Sequence, residues 1–124
     1  MTAVELFKIL SDTNRLRILN LLYADELCVC ELEYLLGISQ SNLSKHLRLM
    51  NDAGILESRR QNKFAYYKIK DEEIKKHEFL KSVFEIELKK EDFLTEELDK
   101  LGQYQQSDIT CQSITALICE KAKS

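Results

Sequence analysis

The sequence contains no proline and only three glycines among its 124 residues, so the commonest helix breakers are scarce and a largely helical chain is expected. It also lacks any apolar run near the roughly 18 residues of a membrane span. The N-terminus, MTAVELFKILSD, carries Glu5 and has neither the basic start nor the small-residue cleavage site of an export signal. No membrane partner is expected, and a cytoplasmic protein is. No phosphate-binding loop, nucleophile–base triad or carboxylate pair stands in a setting that supports catalysis, so an enzyme is not expected. With 44% apolar and 31% charged residues, disorder is not favoured and one ordinary domain accounts for the length.

Cysteine is present but sparse, at Cys28, Cys30, Cys111 and Cys119. A reducing compartment argues against a disulfide framework and leaves metal binding, redox sensing or burial as a small apolar side chain. Cys28 and Cys30 stand one residue apart in ELCVCEL, at what reads as the start of a helix. That spacing is not the CxxC of thioredoxin-like oxidoreductases, and no strand-helix-strand pattern surrounds it.

The net charge of −3 conceals an uneven distribution. Between Ser39 and Lys70 seven basic residues face only Asp52 and Glu57, whereas from Asp71 onward eight lysines stand against thirteen acidic residues. A basic middle beside an acidic remainder fits a nucleic-acid footprint confined to one face.

The pattern along the chain places that footprint. TAVELFKIL sets Val4, Phe7 and Leu10 at helical spacing, Ser11 or Asp12 can cap the next helix, and NRLRILNLLY repeats Leu16, Leu19, Leu22 and Tyr23 on one side. A short helix through CELEYLL stops at Gly37. Ser39 then caps SQSNLSKHLRLMNDAG, which Gly54 ends: helix, glycine-containing turn, helix. In the second of these helices Leu43, Leu47 and Met50 share one face, while Ser41, Ser44, Lys45 and Arg48, flanked by Gln40 and Asn42, supply groups that reach base edges and phosphates in a major groove. His46 lies near the apolar edge and suits packing or a phosphate contact.

ILESRRQNKFAYYKIK alternates on both sides of a turn at Gln61-Asn62 and reads as a β-hairpin with Arg59, Arg60 and Lys63 around its tip. Tyr66 and Tyr67 are expected as wing and core residues. Beyond Asp71, Ile74, Phe79, Leu80, Val83, Phe84 and Leu88, then Phe93, Leu94, Leu98 and Leu101 before Gly102, indicate one or two further helices. More apolar residues occur there than a compact unit needs, so a two-fold dimer interface shared with the N-terminal helix is expected. The fold class is thus mainly α with a small β-hairpin, a dimeric winged helix-turn-helix. Residues 1–90 form its DNA-binding and dimerisation unit, and residues 91–124 a helical extension carrying two cysteines.

In this order, ELCVCEL followed by LLGISQSNLSKHLRLMNDAGIL and a basic hairpin resembles the ArsR/SmtB family of metal-responsive winged-helix repressors over about residues 3–90. The cysteine pair looks like that of the arsenic- and antimony-responsive branch. The resemblance implies a homodimer that binds a palindromic double-stranded operator and leaves it when trivalent arsenic or antimony binds Cys28 and Cys30, with no constitutive cofactor. Two departures from the family pattern stand out. The third cysteine of that branch is replaced by Glu33, which leaves Cys111 and Cys119 as candidate sulfurs. The family's zinc site on the closing helix would have only Asp71 and His77 here.

Two residues apart on a regular helix point about 200° away from each other, so the pair is expected to chelate only by distorting its turn. The alternative for the same residues is a thiol redox switch, or a sensor of another soft metal, in the same kind of repressor.

Overall fold

The computed structural model describes residues 1–110 together with Ser113 and Ile114. Helix α1 (Ala3–Leu10) opens on a reciprocal cap, in which the Glu5 backbone N–H donates to the Thr2 hydroxyl and the Thr2 N–H to the Glu5 carboxylate. It buries Leu6 and Ile9, leaving Val4 and Phe7 63% and 58% exposed. Asp12, rather than Ser11, caps α2 (Thr13–Ala24), accepting from the Arg15 backbone N–H at 3.0 Å. Ile18, Leu19, Leu21 and Leu22 of α2 are all buried, which makes it the central helix of the core.

The chain then takes a step that the helical reading of ELCVCEL missed. Leu27 and Cys28 form a two-residue strand, β1 (Leu27–Cys28), and only from Val29 does helix α3 (Val29–Leu36) begin. Gly37 ends α3 at φ +68°, a left-handed conformation that glycine adopts without a Cβ clash. Ser39 caps α4 (Gln40–Ala53) by accepting from the Asn42 N–H at 3.4 Å, and Gly54 closes it at φ +96° while the Ile55 N–H returns to the Met50 carbonyl. The expected helix-turn-helix is therefore α3–Gly37–α4.

Strands β2 (Leu56–Gln61) and β3 (Phe64–Ile69) pair antiparallel with Gln61 opposite Phe64, so the turn residues are Asn62 and Lys63, one position beyond the expected pair. Asn62 takes φ +58°, which asparagine tolerates better than most residues. β1 adds to the free edge of β3, with Cys28 opposite Tyr66, giving a three-stranded sheet of order β1-β3-β2. Cys28 thus belongs to the sheet of the wing as well as to the helix-turn-helix.

The acidic remainder is more broken than one or two helices. It runs through α5 (Asp71–Lys76), α6 (Glu78–Ser82), a π-helical turn (Val83–Glu87) and a 3₁₀ turn (Leu88–Lys90) into α7 (Asp92–Gln105), which continues past Gly102. Leu80, Phe84, Leu88, Leu94 and Leu101 from this stretch join one cluster with α1 to α4 and the base of the sheet. No described helix is long and apolar enough to cross a membrane.

Candidate nucleic-acid interface and thiol site

Helix α4 is seated by Leu43, Leu47 and Met50, each fully buried. This fixes its opposite face outward, where Gln40, Ser41, Asn42, Ser44, Lys45 and Arg48 are all exposed. His46 is half-buried. The Asp12 carboxyl is held below the usual range by the hydrogen bond from the Arg15 backbone N–H and by the charge of the Arg15 guanidinium. The wing tip presents Arg59, Arg60 and Lys63, also exposed. Among the described residues Lys45, Arg48, Arg60 and Lys63 enter no ion pair, so their charge is available to a phosphate backbone. Arg59 differs. Its guanidinium donates to Glu26 Oε1 at 2.6 and 2.9 Å and lies over the Tyr66 ring at 4.7 Å, and the hydrogen bond to Glu26 raises its pKa. The sequence did not reveal this partner, which lies 33 positions away.

The thiol site lies where β1 meets α3. Cys28 is 1% exposed and occupies the N-cap position of α3 in extended conformation, whereas Cys30, inside the first helical turn, is half-buried. The expected opposition of two thiols across a regular helix therefore does not describe the pair, because Cys28 lies outside the helix. Burial supplies a different obstacle: a ligand in solvent reaches the Cys28 sulfur only if β1 or the first turn of α3 opens. The Cys28 N–H donates to Glu31 Oε1 at 2.9 Å, and the other carboxyl oxygen of Glu31, a residue 8% exposed, accepts from the Tyr104 hydroxyl of α7 at 2.5 Å. Sequence reading singled out neither Glu31 nor Tyr104. The only local signal was the acidic residue three places after Cys28, as in a capping box.

Glu33, which stands where the resemblance would place a third cysteine, is partly buried, and burial pushes its carboxyl pKa up. Among the described residues no three His, Cys, Asp or Glu side chains converge as a metal site. Cys111 and Cys119 lie outside the described residues. The Asp71 and His77 positions serve other contacts, Asp71 with Lys68 at 3.9 Å and His77 with Glu73 at 3.6 Å and the Met1 carbonyl at 3.2 Å.

A capped helix pair, an outward polar and cationic face on the second helix and a basic β-wing together define the winged helix-turn-helix architecture of DNA-binding proteins. Residues 12–58 match the model of the bacterial regulatory protein, arsR family, so this stretch is an arsR-family helix-turn-helix domain. It is 45% identical over 67 residues to the arsenical resistance operon repressor of Escherichia coli, which is 53% of this chain and 57% of that protein. It is 42% identical over 66 residues to the cadmium resistance transcriptional regulatory protein CadC of Listeria innocua, 52% of this chain and 56% of that one. The chain thus spans little more than half the length of these relatives. Among solved structures, HlyU from Vibrio cholerae superposes with a TM-score of 0.59 at 34% identity, covering 67% of this chain and 90% of that one.

Proposed function

We propose that this chain is a cytoplasmic, homodimeric transcriptional repressor that binds a palindromic operator and is released from it when trivalent arsenic or antimony binds the thiols of Cys28 and Cys30. One observation carries the reading: Cys28 is at once a strand residue of the wing sheet, opposite Tyr66, and the cap of α3, the helix that leads through Gly37 into α4. A ligand that draws this sulfur toward Cys30 must loosen β1 from β3 and uncap α3, disturbing both elements that would touch DNA. A coupling of about 1–3 kcal/mol, common between two sites in allosteric proteins, weakens binding roughly fivefold to 150-fold.

Soft thiolates suit thiophilic ions, in keeping with relatives named for arsenical and cadmium resistance. A third sulfur from Cys111 or Cys119, of the same or the partner subunit, would complete the site. Val4, Phe7 and Ile86 remain exposed, and Phe7 stacks on Phe79 at 5.1 Å, so α1 and the α6 region share an apolar surface suited to a second copy.

The test uses an operator selected from random duplex DNA and followed by fluorescence anisotropy with a phosphine reductant present. Release by arsenite or antimonite supports the reading. Release by cadmium alone would move the assignment to another soft metal, and release only by oxidant, with the reductant omitted, to a redox switch at the same thiols.

The DNA face has its own expected outcome. Operator affinity falls steeply with salt, and Arg60→Ala or Lys63→Ala weakens binding to all sequences alike and lowers the log–log salt slope by about one. Ser44→Ala and Lys45→Ala instead change the ranking among operator variants, because those side chains sit on the face proposed to read bases. An unchanged slope in the first pair, or a uniform loss in the second, would overturn the respective assignment.

A further inference from the structure

Helix α7 lies outside the stretch matched by the family model, residues 12–58, yet it is joined to α3 at both ends. At the C-terminal end, Arg17 of α2 donates to Glu97 of α7 at 3.0 and 2.6 Å and to the Leu36 carbonyl of α3 at 2.6 Å. This satisfies a helix-terminal carbonyl that has no partner within its own helix. At the N-terminal end, the buried Glu31 carboxyl binds the Cys28 N–H with one oxygen and the Tyr104 hydroxyl with the other. The Tyr104 ring also packs near Tyr34 of α3, centroids 6.0 Å apart. Residues 73 and 80 positions apart are thereby tied across one helix.

We infer that Glu31 and Tyr104 are positioning residues that lock the Cys28 turn closed, so that α7 governs how readily the Cys28 thiol becomes accessible and hence the inducer concentration at which the protein responds. The first half stands on the geometry of the turn, and the second rests on the proposed thiol-inducer reading. The lock has physical means to act. Cys28 can leave β1 only by breaking its N–H bond to Glu31, and Glu31 is held in register for that bond by a hydroxyl whose own helix is anchored through Glu97. Without the tyrosine hydroxyl the carboxyl regains rotamer freedom, and the closed turn loses one hydrogen bond to an acidic group.

The experiment measures the labelling rate of Cys28 by a maleimide in the full chain carrying Cys30→Ser, Cys111→Ser and Cys119→Ser, so that one thiol reports. Tyr104→Phe is expected to raise that rate about tenfold, the size of one such hydrogen bond. Glu31→Gln, which keeps an acceptor for the Cys28 N–H, should raise it less. Tyr23→Phe is the control, since it removes a comparable tyrosine-to-glutamate bond elsewhere, from Tyr23 to Glu85 at 3.1 Å. An unchanged rate in Tyr104→Phe, or an equal rise in Tyr23→Phe, overturns the lock. With the three substituted cysteines restored, Tyr104→Phe should lower the arsenite concentration for half-release by a similar factor and leave arsenite-free operator affinity unchanged. Faster labelling without a shift in release would uphold the lock and count against the inducer reading alone.

Discussion

Serine in place of either Cys28 or Cys30 is expected to raise the arsenite concentration needed for operator release by at least about a hundredfold, equivalent to about 3 kcal/mol of lost arsenite affinity. Operator affinity without arsenite should stay within about twofold of the parent, because serine is close to isosteric with cysteine and preserves the cap of α3. The loss follows from ligand chemistry: a hydroxyl does not ionise near neutrality and is a hard donor where a soft thiolate is needed. Retention of DNA binding follows from position. Residue 28 is the N-cap of α3 and Glu31 is its N3 residue, the S/T-x-x-E arrangement in which serine is among the best caps. Cys30 lies within the first turn and is half-buried, so its hydroxyl analogue keeps contact with water. Anisotropy titrations of both variants beside the parent check both halves. Parent-like release by arsenite from Cys28→Ser would remove this residue from the site.

Leu47→Ala should destabilise the protein by about 3 kcal/mol, the middle of the range for emptying a buried leucine site. Leu47 is fully buried and, with Leu43 and Met50, is what turns the polar face of α4 outward. The expected signature in urea unfolding is a lower midpoint at unchanged slope. Leu49→Ala, two residues on and 46% exposed, should cost less than about 0.5 kcal/mol. Equal effects at the two positions would mean that α4 is seated differently.

The helix-turn-helix and the hairpin were legible because their signals are local. Gly37, Ser39 and Gly54 mark termini by backbone freedom and side-chain capping, and the wing strands are two six-residue runs on either side of a short polar turn. β1 was not legible, since a two-residue strand has no periodicity and exists only through its pairing with Tyr66 and Tyr67. Val4 and Phe7 carry the same helical spacing as a core face, but the face that packs is Leu6 and Ile9, a choice made by α2. The one or two helices expected beyond Asp71 are further broken, at His77, the π-helical turn and Glu91. None of these sites has a proline or glycine to announce it. In the thiol site, both cysteines were visible as a pair, but the burial of Cys28, its tie through Glu31 to Tyr104 and the engagement of Arg59 by Glu26 are contacts between distant segments. Such contacts become readable only once the chain is folded.

The central claim is that Cys28 and Cys30 hold one ligand through sulfur. Arsenic K-edge X-ray absorption on the stoichiometric arsenite complex tests it most directly. The account predicts a first shell containing sulfur that loses neighbours in Cys28→Ser and again in Cys30→Ser. A shell made of oxygen alone, or a sulfur shell unchanged in both variants, would contradict it.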